Sequence, residues 1–357
     1  MTKENKTVWI LGAGASMSNN FEFPNINQIF AKAKEYSIIS LNVKTLKDDY
    51  KELSEFIVNC FNKSLLRTSD KIDVEKVMTF LQIEFEKKGS YSNLQLMDKV
   101  IFLIRHVLSE CLVRGNSNEE YEHLVNNFLN RNTSIISFNW DIALDQLIKS
   151  NNIYENFLKQ ISSKFTEGFF NGYIPFPYKE FPTDTGIYLK MHGSVDWLYC
   201  PNQQCRVNNR LYVLEDSILE SHYCSECHEE CKILIIPPLL NKNYDKYPSI
   251  KKIWNRSFLE LNNASEVIIW GYGVPPTDFY SNWLLTRSIP HETIIKIINP
   301  ECLRISNHEN ELQEYSINKT FVNKFKEIFS RQKITFYYNY KDFKNNFDIN
   351  QKYNVKV

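Results

Sequence analysis

TVWILGAGAS, residues 7–16, joins a run of β-branched and apolar side chains directly to Gly12 and Gly14. A run of this kind that stops at glycine predicts a buried strand followed by a turn. Because glycine lacks a Cβ atom, backbone N–H groups in this turn can approach a pyrophosphate at the start of the next helix. The third glycine of the dinucleotide fingerprint is absent, so the motif alone leaves an ordinary strand-to-turn glycine pair as the alternative.

Similar short apolar runs recur along the chain and predict further strands of a parallel sheet, buried on both faces. They are SIISF (134–138), YLKM (188–191), VIIW (267–270) and IIKII (294–298), and a strand-like run, ITFYY (334–338), follows near the end of the chain. From residue 26 to residue 131 the apolar spacing instead follows a helical period, as at Val74, Val77 and Leu81. The sequence therefore predicts an α/β fold, with a Rossmann-like parallel sheet and an inserted helical subdomain.

The predicted organisation has three parts. Residues 1–25, 132–197 and 237–345 are expected to form a Rossmann-like domain, and residues 26–131 the helical insertion. Residues 198–236 are rich in cysteine and turn residues, and they are too few to bury a core of their own. They are expected to form a small zinc-ribbon-like module.

Composition limits the classes of function. The chain has 357 residues, of which 43% are hydrophobic and 24% charged, as in folded proteins. Lys plus Arg and Asp plus Glu number 42 each, so net charge favours neither nucleic acid nor an anionic membrane as a partner. No apolar run reaches the length of a signal peptide or membrane span, and a cytoplasmic protein is expected.

Cysteine spacing indicates a metal site. Five of the eight cysteines fall between positions 200 and 231, and without a secretory signal this crowding favours metal over disulfides. Two close pairs can supply four thiolates to a structural zinc ion. The predicted ligands are Cys200, Cys205, Cys224 and Cys227. Cys231 or His228 could replace one of them, and the alternative is a loop of reduced cysteines.

Polar residues follow two of the predicted strands, at the edge where ligands bind in open α/β sheets. Asn139 and Asp141 come after SIISF, and His192 comes after YLKM. Because histidine exchanges protons near neutral pH, its convergence with two polar side chains favours a catalytic site. The simpler alternatives are that Asp141 caps a helix beginning at Ile142 and that His192 is structural.

A second glycine loop, Gly271-Tyr272-Gly273, follows the VIIW strand. Two such loops at one sheet edge favour a long ligand with two ends. Asn299 follows IIKII and could bind a ribose hydroxyl, although its place before Pro300 equally suits a turn residue.

Taken in chain order, GAGAS, FNWD, His-Gly-Ser, the paired cysteines, the late glycine loop and IIN resemble the sirtuin (silent-information-regulator) family. The resemblance implies that His192 is catalytic, that Asn139 orders the nicotinamide ribose or a water, and that Asp141 holds the carboxamide. It also implies a set of NAD-binding residues in the two glycine loops and after IIKII. These are Gly12, Ala13, Gly14, Ser16, Gly271, Tyr272, Gly273 and Asn299.

Two departures refine the resemblance. Phe138 stands where the family has glutamine, and IIPPLLNK replaces the segment that pairs with an acyl-lysine peptide. GYGVPPTDF is instead similar to the sirtuin-like domains of bacterial anti-phage defence systems, which hydrolyse NAD. The resemblance therefore implies an NAD+ glycohydrolase with NAD as its substrate. An NAD-dependent protein deacylase and a non-catalytic NAD or ADP-ribose-binding subunit are the alternatives.

Regulation is expected as well, because an ungated NAD hydrolase would harm its own cell. The resemblance implies a homo-oligomer that works with a separately encoded HerA-type ATPase or phage-sensing partner. Neither a membrane nor direct nucleic-acid binding is expected.

Overall fold

The computed structural model describes residues 6–19, 22–42, 45–67, 70–115, 119–130, 132–150, 187–208, 211–214, 221–236, 244, 247–275, 278–305 and 315–345. The strands are β1 (Thr7–Leu11), β2 (Ser40–Asn42), β3 (Thr45–Leu46), β4 (Thr133–Ser137), β5 (Tyr188–Lys190), β6 (Gly193–Tyr199), β7 (Leu211–Val213), β8 (Lys232–Ile235), β9 (Glu266–Trp270), β10 (Ile294–Ile298), β11 (Leu303–Ile305), β12 (Tyr315–Ile317) and β13 (Lys333–Tyr337). The helices are α1 (Ala13–Ser18), α2 (Ile29–Glu35), α3 (Lys51–Phe61), α4 (Val74–Lys88), α5 (Tyr91–Arg114), α6 (Glu119–Phe128), α7 (Ala143–Ser150), α8 (Pro248–Asn262), α9 (Phe279–Ser288), α10 (Lys319–Ile328) and α11 (Tyr340–Lys344).

A parallel sheet lies at the centre of the molecule. In the described ranges it has six strands, in the order β13-β10-β9-β1-β4-β5. Every adjacent pair is parallel. Numbered along the chain, these strands read 6-5-4-1-2-3, which is the doubly wound order of Rossmann folds. The predicted α/β class is confirmed, and the order reverses between β1 and β9, where such sheets open a crevice.

The central strands are buried on both faces, which explains their unbroken apolar sequence. Trp9 and Leu11 of β1 belong to a hydrophobic core shared with α2, α4 and α5. Val8 and Ile10 belong to a second core shared with α8, α9 and α10. Successive side chains of a strand point to opposite faces, so the sheet separates two layers of helices.

Helices α2–α6 lie between β1 and β4 in the chain, where the sequence predicts an inserted helical block. The start of α4 is fixed by Asp73, whose side chain accepts a 3.2 Å hydrogen bond from the Lys76 amide. The helix ends at Gly89, which has the left-handed φ of 66° that such ends favour. The proposed boundaries of this insertion stay a prediction. No helix in the described ranges has both the length and the apolar character needed to cross a membrane.

A smaller antiparallel sheet, in the order β7-β6-β8, carries the cysteine-rich segment. It begins at Gly193, directly after the turn that follows β5. Gly193 has a φ of +76°, and a Cβ atom there would lie 2.0 Å from the carbonyl oxygen of Leu234. Glycine is therefore required at this position by the close approach of β8.

Candidate functional site

A cavity of about 260 Å³ opens at the carboxyl ends of β1, β4, β5 and β9, across the switch point of the sheet. Four loops that are far apart in the sequence meet there. Between them they contribute most of the residues that the sequence analysis predicts for the site. Those lining the cavity are Ala13, Ser16, Asn139, Asp141, His192, Gly271, Tyr272 and Gly273.

Ser16 is the centre of a buried hydrogen-bond network on the floor of the cavity. Its hydroxyl donates to Asp141 Oδ2 at 2.8 Å and accepts from Asn139 Nδ2 at 2.9 Å. The Tyr121 hydroxyl lies 2.9 Å from Ser16 Oγ, and burial raises the pKa of Tyr121 well above its ordinary value. Tyr121 is therefore a neutral phenol that can donate to the remaining lone pair of Ser16. The network fixes Asn139 and Asp141 relative to each other.

Asn139 and Asp141 also bind the backbone of neighbouring loops. Asn139 Nδ2 donates to the carbonyl oxygen of Gly12 at 2.9 Å, which ties the loop after β4 to the loop after β1. Asp141 Oδ1 accepts from the Ala143 amide at 3.1 Å, at the start of α7. Asp141 thus has the capping contact that the simpler interpretation expects, in addition to its place in the cavity wall.

His192 lines the same cavity and is 7% exposed. Its Nε2 atom is 3.1 Å from the Tyr244 hydroxyl and 3.7 Å from Asp278 Oδ2. The ring of Phe138 packs edge-on against the imidazole and stacks in parallel on Tyr272, with ring centroids 4.2 Å apart. The imidazole is thus held between an apolar ring and the Tyr244 hydroxyl, which can donate or accept a hydrogen bond, and the Asp278 carboxylate lies just beyond hydrogen-bond distance.

Gly12 and Gly14 support the cavity from behind its surface. A Cβ atom on Gly12 would lie 2.5 Å from the Tyr272 Cα atom, and one on Gly14 would lie 2.8 Å from the Gly271 Cα atom. Backbone packing between the two glycine loops therefore requires both glycines. Their predicted contact with phosphates stays a prediction.

Asn299 does not line the cavity. Its side chain accepts a 2.9 Å hydrogen bond from the Glu301 amide and caps the short helical turn that begins at Pro300. This is the contact that the turn interpretation expects, and a role in binding ribose stays a prediction.

A buried ion pair lies behind the cavity floor. Lys190 Nζ is 3.2 Å from Asp145 Oδ1, and the two side chains are 0% and 1% exposed. Lys190 also donates to the carbonyl oxygen of Asp141 at 2.5 Å, and Tyr188 donates to Asp145 Oδ2 at 2.9 Å. The pair therefore anchors the backbone of Asp141 to β5.

Sequence reasoning missed the side of the cavity that the helical block and the residues just before it supply. Its lining residues are Phe23 and Pro24, which precede the block, and Ile26, Ile29, Glu75 and Leu108 within it. No local motif marks them, because their common feature is contact with strand ends that lie elsewhere in the chain. Asp278 does follow the second glycine loop, and its position after a strand was a usable signal.

The four predicted zinc ligands lie together in the small sheet module. The sulfur atoms of Cys200, Cys205, Cys224 and Cys227 all lie within 4.8 Å of one another. The Sγ atoms of Cys200 and Cys227 are 3.6 Å apart, and those of Cys205 and Cys224 are 3.8 Å apart. A tetrahedral zinc site with Zn–S bonds of about 2.3 Å separates its sulfur atoms by about 3.8 Å. The residues therefore fit a structural zinc ion, and neither Cys231 nor His228 belongs to the cluster.

Comparison with known proteins gives distant structural similarity. No protein-family model and no curated protein matches the chain. Among solved structures it is similar to a complex of a Sir2 homologue with NAD, at 13% identity and a TM-score of 0.40, over 97% of this chain and 89% of that one. It is also similar to a structure described as "The Structural basis for Sirtuin Substrate affinity", at 12% identity and a TM-score of 0.37, over 98% and 94% of the two chains. Similarity at these TM-scores assigns neither a ligand nor an activity.

Proposed function

We propose that this chain binds NAD and hydrolyses its nicotinamide–ribose bond. The observation that supports the proposal most is the convergence of His192, Asn139 and Asp141 in one cavity, beside two glycine loops. Open α/β sheets bind their ligands at the switch point where this cavity lies. The resemblance of the sequence motifs to sirtuins supplies the identity of the ligand.

The proposed reaction consumes NAD and water and releases nicotinamide, ADP-ribose and one proton. The bond from ribose C1′ to the nicotinamide nitrogen breaks, and its electron pair leaves with the nitrogen. The oxygen of a water molecule then bonds to C1′. Because the transition state resembles an oxocarbenium ion, the protein has to hold the ribose, bind the leaving group and position the water.

Each of the three central residues has a task in this reaction. Asp141 binds the carboxamide of nicotinamide, and Asn139 orders the ribose or the water. Both side chains are held by Ser16, so little ordering is needed when the substrate binds. His192 acts as a general base on water or on a ribose hydroxyl, a role that typically accelerates a reaction by about 10²- to 10⁴-fold. The zinc site takes no part in these steps.

The test is to incubate NAD with an excess of the protein and to separate the products by chromatography. We expect release of nicotinamide and ADP-ribose by the natural chain, and a loss of about 100-fold or more in His192→Ala and Asn139→Ala. His291→Ala is the matched control, because His291 is exposed and lies outside the cavity. Full activity in both site variants would reject the assignment.

Two additional experiments distinguish the proposed hydrolase from a protein deacylase and from a non-catalytic binding subunit. With an acetyl-lysine peptide present, a glycohydrolase consumes NAD at an unchanged rate, whereas a deacylase consumes NAD only with the peptide. Calorimetric titration with NAD then identifies a non-catalytic subunit, which binds the intact dinucleotide and releases no nicotinamide.

The proposal extends to a gated effector of anti-phage defence that acts by depleting NAD. It is supported by the similarity of GYGVPPTDF to defence-associated domains and by the toxicity of uncontrolled NAD loss. We expect a homo-oligomer whose hydrolysis increases when a HerA-type ATPase or phage-sensing partner is co-expressed. Light scattering and NAD assays with and without that partner test this, and a fully active monomer would contradict it.

A further inference from the structure

The helical side of the cavity carries one charged side chain among the described residues that line it. Phe23, Ile26, Ile29 and Leu108 present apolar surface, whereas Glu75 of α4 presents a carboxylate. This wall faces the strand ends that carry Asn139, Asp141 and His192. A carboxylate in an otherwise apolar wall of a small cavity needs a polar partner, and a bound ligand or water can provide it.

The position of Glu75 in α4 follows from the packing of the helix. Residues three and four positions further along share its face, and these are Met78 and Thr79. Both are buried, at 0% and 8% exposure. The core contacts of Met78 thus fix α4 with Glu75 turned toward the cavity, and Glu75 itself is half-buried. The backbone of Glu75 is therefore fixed by the fold, and its side chain is partly shielded from solvent.

Among the described residues that line the cavity, the other two carboxylates are already hydrogen-bonded by the protein. Asp141 accepts from Ser16 and from the Ala143 amide. Asp278 accepts from the Tyr272 hydroxyl at 3.2 Å and from the Ser281 amide at 3.4 Å.

Glu75 makes no hydrogen bond or ion pair with any other residue in the described ranges. Of the three carboxylates, Glu75 is thus the one whose oxygen atoms are available to a water molecule.

We propose that Glu75 is the general base that deprotonates the water attacking ribose C1′, an inference that rests on the proposed NAD hydrolysis. As the C1′–N bond breaks and its electron pair leaves with nicotinamide, the water oxygen bonds to C1′ and its proton passes to the Glu75 carboxylate. The proton then passes to solvent, which restores the carboxylate. Enzymes that hydrolyse glycosidic bonds use a carboxylate in this role. Because Glu75 takes the proton of the water, His192 acts as the general base on a ribose hydroxyl.

The test compares Glu75→Gln with Glu86→Gln, the same substitution at an exposed position of α4. We expect Glu75→Gln to bind NAD with a Kd within about threefold of the natural value and to lower kcat by about 10²- to 10⁴-fold. Glu75→Asp, which keeps a carboxylate, should recover part of this loss. Glu86→Gln should match the natural chain.

Sodium azide provides a readout that a structural role would not change. Azide attacks without losing a proton, so it needs no general base. We expect azide to restore nicotinamide release in Glu75→Gln, with ADP-ribosyl azide as the product, and to leave His192→Ala inactive. Unchanged kcat in Glu75→Gln, or a defect that azide does not rescue, would overturn the role of Glu75. A natural chain that releases no nicotinamide would instead overturn the proposed function itself.

Discussion

Gly14 and Gly271 join the two loops that frame the cavity, because the Gly14 amide donates a 3.0 Å hydrogen bond to the Gly271 carbonyl oxygen. Gly271 has a φ of +66°, and a Cβ atom there would lie 2.1 Å from the Ala15 nitrogen. No movement of a flexible side chain could relieve that overlap, since the neighbouring atoms are backbone. The contact holds the loop after β9 against the first turn of α1.

Gly271→Ala should therefore destabilise the protein and weaken ligand binding together. We expect a decrease of about 1–3 kcal/mol or more in the free energy of unfolding, because the left-handed backbone and the overlap both oppose a Cβ atom. Urea unfolding and NAD titration measure the two effects. Gly273→Ala is the control for stability, since nothing lies within 4 Å of a Cβ atom built there. An equal decrease in the free energy of unfolding of the two variants would contradict this explanation.

The contact between Gly14 and Gly271 is a feature that could not be predicted from the sequence, whereas the strands could. The runs TVWIL and IIKII predict β1 and β10 at the observed residues, because a strand buried on both faces leaves a local apolar signature. The clustering of the polar residues that follow strands could also be predicted, since the carboxyl ends of parallel strands converge at one edge of the sheet. The contact of Gly14 with Gly271 and the position of Glu75 depend on packing between distant segments. The spacing of residues within a short segment does not predict such contacts.

Zinc analysis tests the cysteine cluster. We expect about one zinc ion per chain by mass spectrometry of the purified protein, and loss of that ion in Cys224→Ala, which leaves three thiolates. Cys231→Ala is the matched control, because Cys231 lies in the same module and outside the cluster. Loss of zinc in the control, or a metal-free natural chain, would contradict the assignment.

The Lys190–Asp145 pair predicts strong coupling between two substitutions. Lys190→Met leaves the buried Asp145 carboxylate without its cation and should lower the free energy of unfolding by about 3–5 kcal/mol. Adding Asp145→Leu removes the uncompensated charge, so the double variant should be more stable than Lys190→Met alone. A double-mutant cycle by chemical denaturation measures the coupling. Additive effects would show that the ion pair contributes nothing.

Asp145 should also give the stability a defined pH dependence. Burial raises the pKa of Asp145 from 3.8 to about 6, and the opposing charge of Lys190 only partly offsets this. The folded state therefore binds a proton between about pH 4 and pH 6 that the unfolded state does not bind, and this favours folding as the pH falls. The free energy of unfolding of the natural chain minus that of Asp145→Asn should increase from about pH 7 to about pH 4.5. A difference that stays constant or decreases would contradict the raised pKa.

Tyr244 is expected to act on the reaction through His192. Its hydroxyl lies 3.1 Å from His192 Nε2, and its ring packs against Trp254 with centroids 4.6 Å apart. Tyr244→Phe keeps the ring contact and removes the hydrogen bond that orients the imidazole. Because a hydrogen bond to an ionisable group contributes about 1.5–3 kcal/mol, kcat should fall by about 10- to 100-fold while KM changes little.

Tyr280→Phe is the control for Tyr244→Phe, since Tyr280 is 48% exposed and its ring packs on Tyr244 at 4.8 Å. Steady-state kinetics of NAD hydrolysis at several pH values separates orientation from stability, because a misoriented imidazole changes the pH profile of kcat. A variant with natural kcat and pH profile would show that Tyr244 only packs against His192. A change confined to KM would indicate a contact with the substrate instead.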